Sequence, residues 1–283
     1  MQKNRRVLFY PRLGKAKVMK KLNNWISRED EDGQIVWFLL NRPDKRNAFG
    51  DEVAEEFVEF IDGLKSNSKI RVLVISSALD EVFTAGADIK ELMAIYEDEP
   101  YSAAFQMSKT VQTMFAKLEN LPIPVISAVK GLCLTAGLEM SMCCDVIVAA
   151  DNAKFGQIET KYGIIPGGGG TQRLTRLVGS LKARELIYTC DIIDAPEAQR
   201  IGLVNLVVPL SELEESVNAL CRRIIKRPKL AITRAKELTG RAFYENPEGY
   251  GGENRGFGET FATGEPLERL SEFIKPSKGK KDN

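Results

Sequence analysis

The 283-residue sequence contains no histidine. This absence excludes Ser-His-Asp and Cys-His catalysis, and it excludes any metal site with a histidine ligand. The sequence also lacks an apolar run of about 18 residues, the length needed to span a bilayer, so we expect no membrane partner. If the protein is an enzyme, carboxylates, backbone dipoles or cysteine, lysine and tyrosine side chains must carry its chemistry.

An excess of one charge is absent too, because 40 Lys and Arg residues balance 39 Asp and Glu residues. A net charge of +1 provides no bulk attraction to nucleic acid, which we therefore do not expect as a partner. The five cysteines form no CxxC motif and are odd in number. We expect reduced thiols in a cytoplasmic protein.

Basic residues are concentrated in residues 1–23, where no acidic residue occurs. We expect this segment to be a poorly ordered basic extension. The alternative is an organellar transit peptide, which would place the protein in the mitochondrial matrix.

Apolar segments of strand length alternate with helical stripes over residues 24–209, which indicates an α/β core. Strands are predicted at 35–41, 71–77, 125–129, 146–149 and 203–208. One helix is predicted from the spacing of Val53, Phe57, Ile61 and Leu64. From residue 210 the pattern becomes helical, so residues 210–283 are predicted to form a helical module.

Three stretches have features of a functional site. In the first, residues 83–89, small residues precede a predicted helix, and its N-terminal N–H groups are suited to hold an anion. The alternative is a tight turn in which Asp88 caps the helix. In the second, residues 131–145, Glu139 lies in the first turn of an apolar helix. Burial there would raise its pKa and favour acid/base chemistry, whereas the alternative is a simple interaction with the helix dipole.

The third stretch, residues 155–173, contains Glu159 and four consecutive glycines at 167–170. Such a run indicates backbone that approaches a ligand closely, or a helix N-terminus that faces one. It fits neither a Walker A loop nor a Rossmann fingerprint. Taken alone, Glu159 in a loop is typical of a surface residue.

Together these stretches resemble the crotonase superfamily, the enoyl-CoA hydratase/isomerase family. The matching motifs occur in the family's order and spacing: Asn41-Arg42-Pro43 with Asn47-Ala48, Gly86-Ala87-Asp88-Ile89, Gly137-Leu138-Glu139 with Cys144-Asp145, and Phe155-Gly156-Gln157 through Pro166 to Thr171-Gln172-Arg173-Leu174. The resemblance implies a crotonase-like α/β spiral of ββα units with a C-terminal helical trimerisation module. It also implies a homotrimer or a hexamer (a dimer of trimers), in which this module packs on a neighbouring subunit.

The resemblance further implies how an acyl-CoA thioester is handled. The backbone N–H groups of Ala87 and Ala136 would form an oxyanion hole for the thioester oxygen. Glu139 would activate a water molecule, Glu159 would deliver a proton, and Gln157 would orient Glu159.

Coenzyme A would be part of the substrate, so neither a cofactor nor a metal is expected. The residues that would line its path are Lys45, Arg46, Ala48, Ala85, Gly86, Asp88, Ile89 and Gly137. Lys45 and Arg46 would pair with phosphate, although a solvated turn is the alternative.

The resemblance therefore predicts a 2-enoyl-CoA hydratase, because both glutamates are present. The alternatives within enzymes are an enoyl-CoA isomerase or another acyl-CoA enolate enzyme, such as a thioester hydrolase. A non-catalytic CoA-ester or RNA-binding scaffold is the alternative of a different class.

Overall fold

The computed structural model describes residues 17–21, 24–97, 99–241 and 248–275. The strands in these residues are β1 Lys17–Lys21, β2 Trp25–Glu29, β3 Ile35–Leu40, β4 Val72–Ser77, β5 Val82–Thr84, β6 Val125–Val129, β7 Leu132–Leu134, β8 Val146–Ala150, β9 Lys154–Gly156, β10 Ile193–Asp194 and β11 Leu206–Val208. They form two sheets, with the orders β1-β2-β3-β4-β6-β8-β11 and β10-β9-β7-β5.

The α-helices of the described residues lie mostly between and after these strands. They are α1 Asp51–Lys65, α2 Ile89–Ala94, α3 Pro100–Glu119, α4 Ala136–Met142, α5 Gly170–Val178, α6 Ser180–Thr189, α7 Ala195–Arg200, α8 Leu213–Ile225, α9 Lys229–Arg241, α10 Glu248–Ala262 and α11 Glu265–Ile274. Short 3-10 helices span Pro43–Lys45, Ile95–Glu97, Glu159–Tyr162 and Leu210–Glu212.

Three successive turns of chain repeat one pattern. The pairs β4 and β5, β6 and β7, and β8 and β9 each place their first strand in the large sheet and their second in the small sheet. Helical segments follow each pair. The predicted spiral of ββα units is therefore confirmed.

The large sheet is covered on both faces, so its central strands are buried and mostly apolar. Every residue of Val72–Ser77 is buried. The predicted stripe of α1, Val53, Phe57, Ile61 and Leu64, is buried in one cluster with residues of the sheet. A second cluster covers the opposite face of the large sheet. There, sheet residues such as Val72 and Val74 pack against Leu213, Val217 and Cys221 of α8.

The helical part of the chain from residue 210 is not set apart from the α/β part. Besides α8, helix α10 packs on α3 of its own chain. Phe257 and Phe261 of α10 are buried in one cluster with Leu92 of α2 and Ala104 of α3. These helices find apolar partners within their own chain. The expectation that this part of the chain also packs on a neighbouring subunit stays a prediction.

The N-terminal segment also differs from the expectation. Lys17–Lys21, within the predicted poorly ordered extension, forms a strand antiparallel to β2. The open edge of β2 offers unpaired backbone groups, which explains this pairing. The other residues of 1–23 lie outside the described residues.

Two other elements differ in extent from the sequence prediction. The last predicted strand, 203–208, is shorter and spans Leu206–Val208. The glycine-rich stretch after residue 246 contributes to α10.

In the described residues no helix is long and apolar enough to cross a membrane. All five cysteines are free, and Cys133, Cys143 and Cys221 are buried.

Candidate active site

The site is built at one edge of the small sheet. Strands β5, β7 and β9 run parallel there, so their carboxyl ends meet at the same edge. Each is followed by one of the three stretches singled out in the sequence: Ala85 to Asp88 follows β5, Thr135 to Glu139 follows β7, and Gln157 to Glu159 follows β9. The fold therefore brings the three predicted segments together.

The first two segments touch through their glycines. A Cβ at Gly86 would overlap Thr135 Oγ1, and a Cβ at Gly137 would overlap Thr84 Cγ2. Gly86 also has a φ of 106°, which favours glycine. The absence of these two side chains allows the turns that carry Ala87 and Ala136 to lie side by side.

The N–H groups of Ala87 and Ala136 are available in this arrangement. Ala136 is the first residue of α4, so its N–H has no acceptor within the helix. Around Ala87, the Phe49 N–H donates to Gly86 O and the Asp88 N–H donates to Phe49 O. Across the described part of the chain, neither alanine donates to a backbone carbonyl. Thr135 before α4 has φ 49° and ψ −121°, a sparsely populated conformation of the kind found at functional sites.

Glu139 follows in the first turn of α4, and its side chain is buried, with the residue 2% exposed. Burial raises the pKa of Glu139 to about 7, although hydrogen bonds from the Gly170 and Gly168 N–H groups and the charge of Arg173 act to lower it. The predicted burial of this acid is confirmed. A carboxyl with a pKa near 7 can exchange a proton at neutral pH.

The glycine run wraps around this carboxylate. The N–H groups of Gly168 and Gly170 donate to Glu139 Oε1 at 2.9 and 2.8 Å. A Cβ at Gly168 would lie 2.6 Å from Glu139 Oε2, and one at Gly170 would lie 2.9 Å from Oε1. The expectation that these glycines face a ligand needs correction for Gly168 and Gly170, whose N–H groups hold the side chain of Glu139.

Glu159 lies next to the same loop. It begins a 3-10 helix and is buried, so the alternative of a surface residue is wrong. Gln157 Nε2 donates to Glu159 Oε1 at 2.8 Å. The Cβ position at Gly170 lies 2.6 Å from this Gln157 nitrogen and 2.9 Å from Glu139 Oε1, so the Glu139 carboxylate and the amide that holds Glu159 both lie against Gly170.

Arg173 supports the loop from α5, a role that sequence reasoning missed. Its guanidinium is buried and donates to Gly168 O at 2.9 Å, while its second terminal nitrogen pairs with Glu119 at 2.9 Å. The available signal was an arginine three residues after the glycine run. A buried guanidinium can bind several carbonyl and carboxylate oxygens at once.

The predicted CoA-contacting residues lie near the first segment. Lys45 Nζ pairs with Asp88 Oδ2 at 2.5 Å, and the Lys45 side chain is 45% exposed. Asp88 Oδ1 accepts from the Lys90 N–H, so Asp88 also caps α2. Burial raises the pKa of Asp88, but the bonds from Lys45 and the Lys90 N–H outweigh it and hold the pKa below its usual value. Arg46 is exposed and Ala48 is buried.

One match decides the family. The model of the enoyl-CoA hydratase/isomerase family matches residues 30–278. The chain belongs to this family. The match includes all three segments that meet at the small sheet and the helices that cover them.

Individual relatives agree with this membership. The short-chain-enoyl-CoA hydratase of Clostridium acetobutylicum is 36% identical over 259 residues, covering 91% of this chain and 97% of that protein. The crotonyl-CoA hydratase of Syntrophomonas wolfei is 36% identical over 250 residues, covering 88% and 95%. The crystal structure of an enoyl-CoA hydratase from Bacillus anthracis is similar, with a TM-score of 0.73, 33% identity, and coverage of 85% and 91%.

In this member of the family, an apolar surface adjoins the available N–H groups. Ala87 and Ile89 pack against a cluster that includes Ile95, Ile164 and Phe257. This wall is suited to contact hydrocarbon groups. In the described part of the chain no group of three or more Cys, Asp or Glu residues is arranged to hold a metal ion.

Proposed function

We propose that this protein is a 2-enoyl-CoA hydratase, which adds water across the Cα=Cβ bond of an enoyl-CoA thioester. The observation that carries the proposal is the presence of two buried glutamates at one loop. Glu139 accepts from the Gly170 N–H, and Gln157, which holds Glu159, lies against the same glycine. The relatives' names support the same reaction.

In this proposal the thioester oxygen binds between the N–H groups of Ala87 and Ala136. Negative charge develops on that oxygen as water adds to Cβ, because the electrons of the double bond move into an enolate. Donors that are already in place stabilise this charge without reorganisation, and each such donor is typically worth about 3–4 kcal/mol of barrier.

The two glutamates divide the proton transfers. Glu139 as carboxylate accepts a proton from water while the water oxygen forms its bond to Cβ. Glu159 as carboxylic acid, oriented by Gln157, gives its proton to Cα as the enolate collapses. When the proton taken up by Glu139 is transferred back to Glu159, both carboxyl groups regain their starting states. The net change is then the addition of one water molecule, and this chemistry needs neither a metal nor a cofactor.

Lys45 is proposed to contact the CoA portion of the substrate. Its ammonium is tied to Asp88 but remains partly in solvent, where it can also meet a phosphate. Arg46, Ala48, Ala85, Gly86, Ile89 and Gly137 are proposed to line the same path.

We also propose that the chain forms a homotrimer or a hexamer. Large apolar side chains stay exposed on the single chain: Leu181 and Tyr188 on α6 and Leu230 and Leu238 on α9. Such side chains in contiguous patches mark association surfaces.

The free thiols support a reducing compartment. We propose that this compartment is the cytoplasm, or the mitochondrial matrix if residues 1–23 are a transit peptide.

Turnover of crotonyl-CoA by the purified protein tests the proposal. We expect the conjugated-enoyl ultraviolet absorbance to disappear and a product heavier by one water to form. A double-bond isomer would instead identify an isomerase, free CoA thiol a thioester hydrolase, and tight binding without any product a scaffold.

A further inference from the structure

The carbonyl of Gly167 is held by two buried polar side chains of α3. Ser108 Oγ donates to Gly167 O at 2.7 Å, and Gln112 Nε2 donates to the same oxygen at 3.0 Å. Ser108 is 1% exposed and Gln112 is 9% exposed. The two residues are four positions apart on a long helix, so they lie on one face of it.

This carbonyl belongs to the same peptide group as the N–H that donates to Glu139. The peptide bond between Gly167 and Gly168 carries Gly167 O on one side and Gly168 N on the other, and Gly168 N lies 2.9 Å from Glu139 Oε1. Hydrogen bonds in series polarise one another, so donors on the carbonyl strengthen the N–H as a donor. Because Gly168 has no side chain to restrain the loop, the orientation of this peptide depends on such external bonds.

We propose that Ser108 and Gln112 are positioning residues, which hold this peptide so that its N–H stays on the Glu139 carboxylate. The inference rests on the proposed function for its catalytic meaning. Helix α10 takes part as well, because Ser108 Oγ also lies 2.8 Å from Asn254 Oδ1. A hydroxyl has one proton, so these two acceptors share it, and Gln112 keeps Gly167 O bonded whenever the hydroxyl turns to Asn254.

Other titratable and charged groups near Glu139 take no part in the hydrogen bonds from Ser108 and Gln112 to Gly167 O. Arg173 of α5 faces it and lowers its pKa, and Glu119 of α3 pairs with Arg173. The Cys143 thiol follows α4 and donates to the backbone oxygen of Glu139, and Glu159 is bonded to Gln157. None of these groups bonds to Gly167 O, so changes at Ser108 and Gln112 leave their charges in place.

The test is a pH titration of Glu139 in the full-length protein by infrared spectroscopy, using the carboxyl band that disappears in Glu139→Gln. Ser108→Ala weakens the Gly168 N–H bond that favours the charged carboxylate, so the pKa of Glu139 should rise by about 0.5–1 pH unit. The acid limb of the pH profile of kcat/KM for crotonyl-CoA should move to higher pH by the same amount. Ser108→Thr keeps the hydroxyl and should restore the wild-type value, and Ser102→Ala, on an exposed position of the same helix, should change nothing.

Gln112→Leu provides a second measurement, which decides the matter if Ser108→Ala fails to fold, and it should shift the titration in the same direction. A Glu139 pKa that stays at the wild-type value in the folded variants, even with a lowered Tm, would overturn the proposal, because it would show a structural role only. The infrared titration needs no turnover. If the wild type hydrates no enoyl-CoA, the proposed function fails while this inference is still judged by the titration.

Discussion

Gly168 is the position where one added methyl group should lower both activity and stability. In Gly168→Ala the new Cβ would lie 2.6 Å from Glu139 Oε2 and 2.8 Å from Phe115 Cε2. Contacts this short are not tolerated, so the loop or the carboxylate must move. The Gly168 N–H bond to Glu139 Oε1, 2.9 Å long, is the contact that such a movement breaks first.

A displacement of about 1 Å in a reacting group can cost about 10²-fold in rate, and we expect a fall in kcat of that order. Overpacking against Phe115 should also lower the free energy of unfolding by about 1–3 kcal/mol. Both are measured on the same protein, by crotonyl-CoA hydration and by urea unfolding. Gly63→Ala is the control, because Gly63 lies on the exposed face of α1 and a Cβ there meets nothing within 4 Å. A folded Gly168→Ala protein with wild-type kcat would refute the role of this loop.

Two further predictions concern charge. Because burial raises the pKa of Glu139 to about 7, kcat/KM should rise as pH increases through about 7, as the carboxylate forms. The same raised pKa makes stability depend on pH. The contribution of Glu139 to the free energy of unfolding is full below its ordinary pKa of 4.5 and is lost as pH rises through about 7. The difference in unfolding free energy between wild type and Glu139→Gln should therefore change between these two pH values. Lys45→Met should raise KM for crotonyl-CoA about 3–10-fold with kcat unchanged, whereas Lys65→Met, with a similarly exposed side chain paired to Asp62, should leave both constants unchanged. An acid limb of kcat/KM far below pH 7 would contradict the assignment of Glu139 as the base. An unaltered KM in Lys45→Met would contradict the proposed contact between Lys45 and CoA.

Much of the core could be predicted from sequence because its signals are local. The apolar stripe of α1 and the apolar run of β4 can each be read from a single continuous segment of the sequence. The burial of Glu139 was predictable in the same way, since most residues of its short helix are apolar. The family resemblance then supplied Ala87, Ala136 and Glu159, which no local pattern would have brought together.

The rest depends on contacts between distant segments. Nothing local shows that the N–H groups of Gly168 and Gly170 point at a side chain 29 and 31 residues earlier. The pairing of Lys17–Lys21 with β2 depends on an open sheet edge, and a lysine-rich segment contains no sign of it. The glycine-rich α10 forms because Phe257 and Phe261 are buried against α2 and α3, which outweighs its poor helix propensity.

The central claim is that two glutamates share the hydration reaction, and replacing each with glutamine tests it most directly. Glutamine is nearly isosteric, so the fold should persist, while general acid–base catalysis is lost. Glu139→Gln and Glu159→Gln should each lower kcat for crotonyl-CoA hydration by at least about 10²-fold, and Glu55→Gln on the exposed face of α1 should not. Near wild-type hydration by either active-site variant would contradict the two-glutamate mechanism.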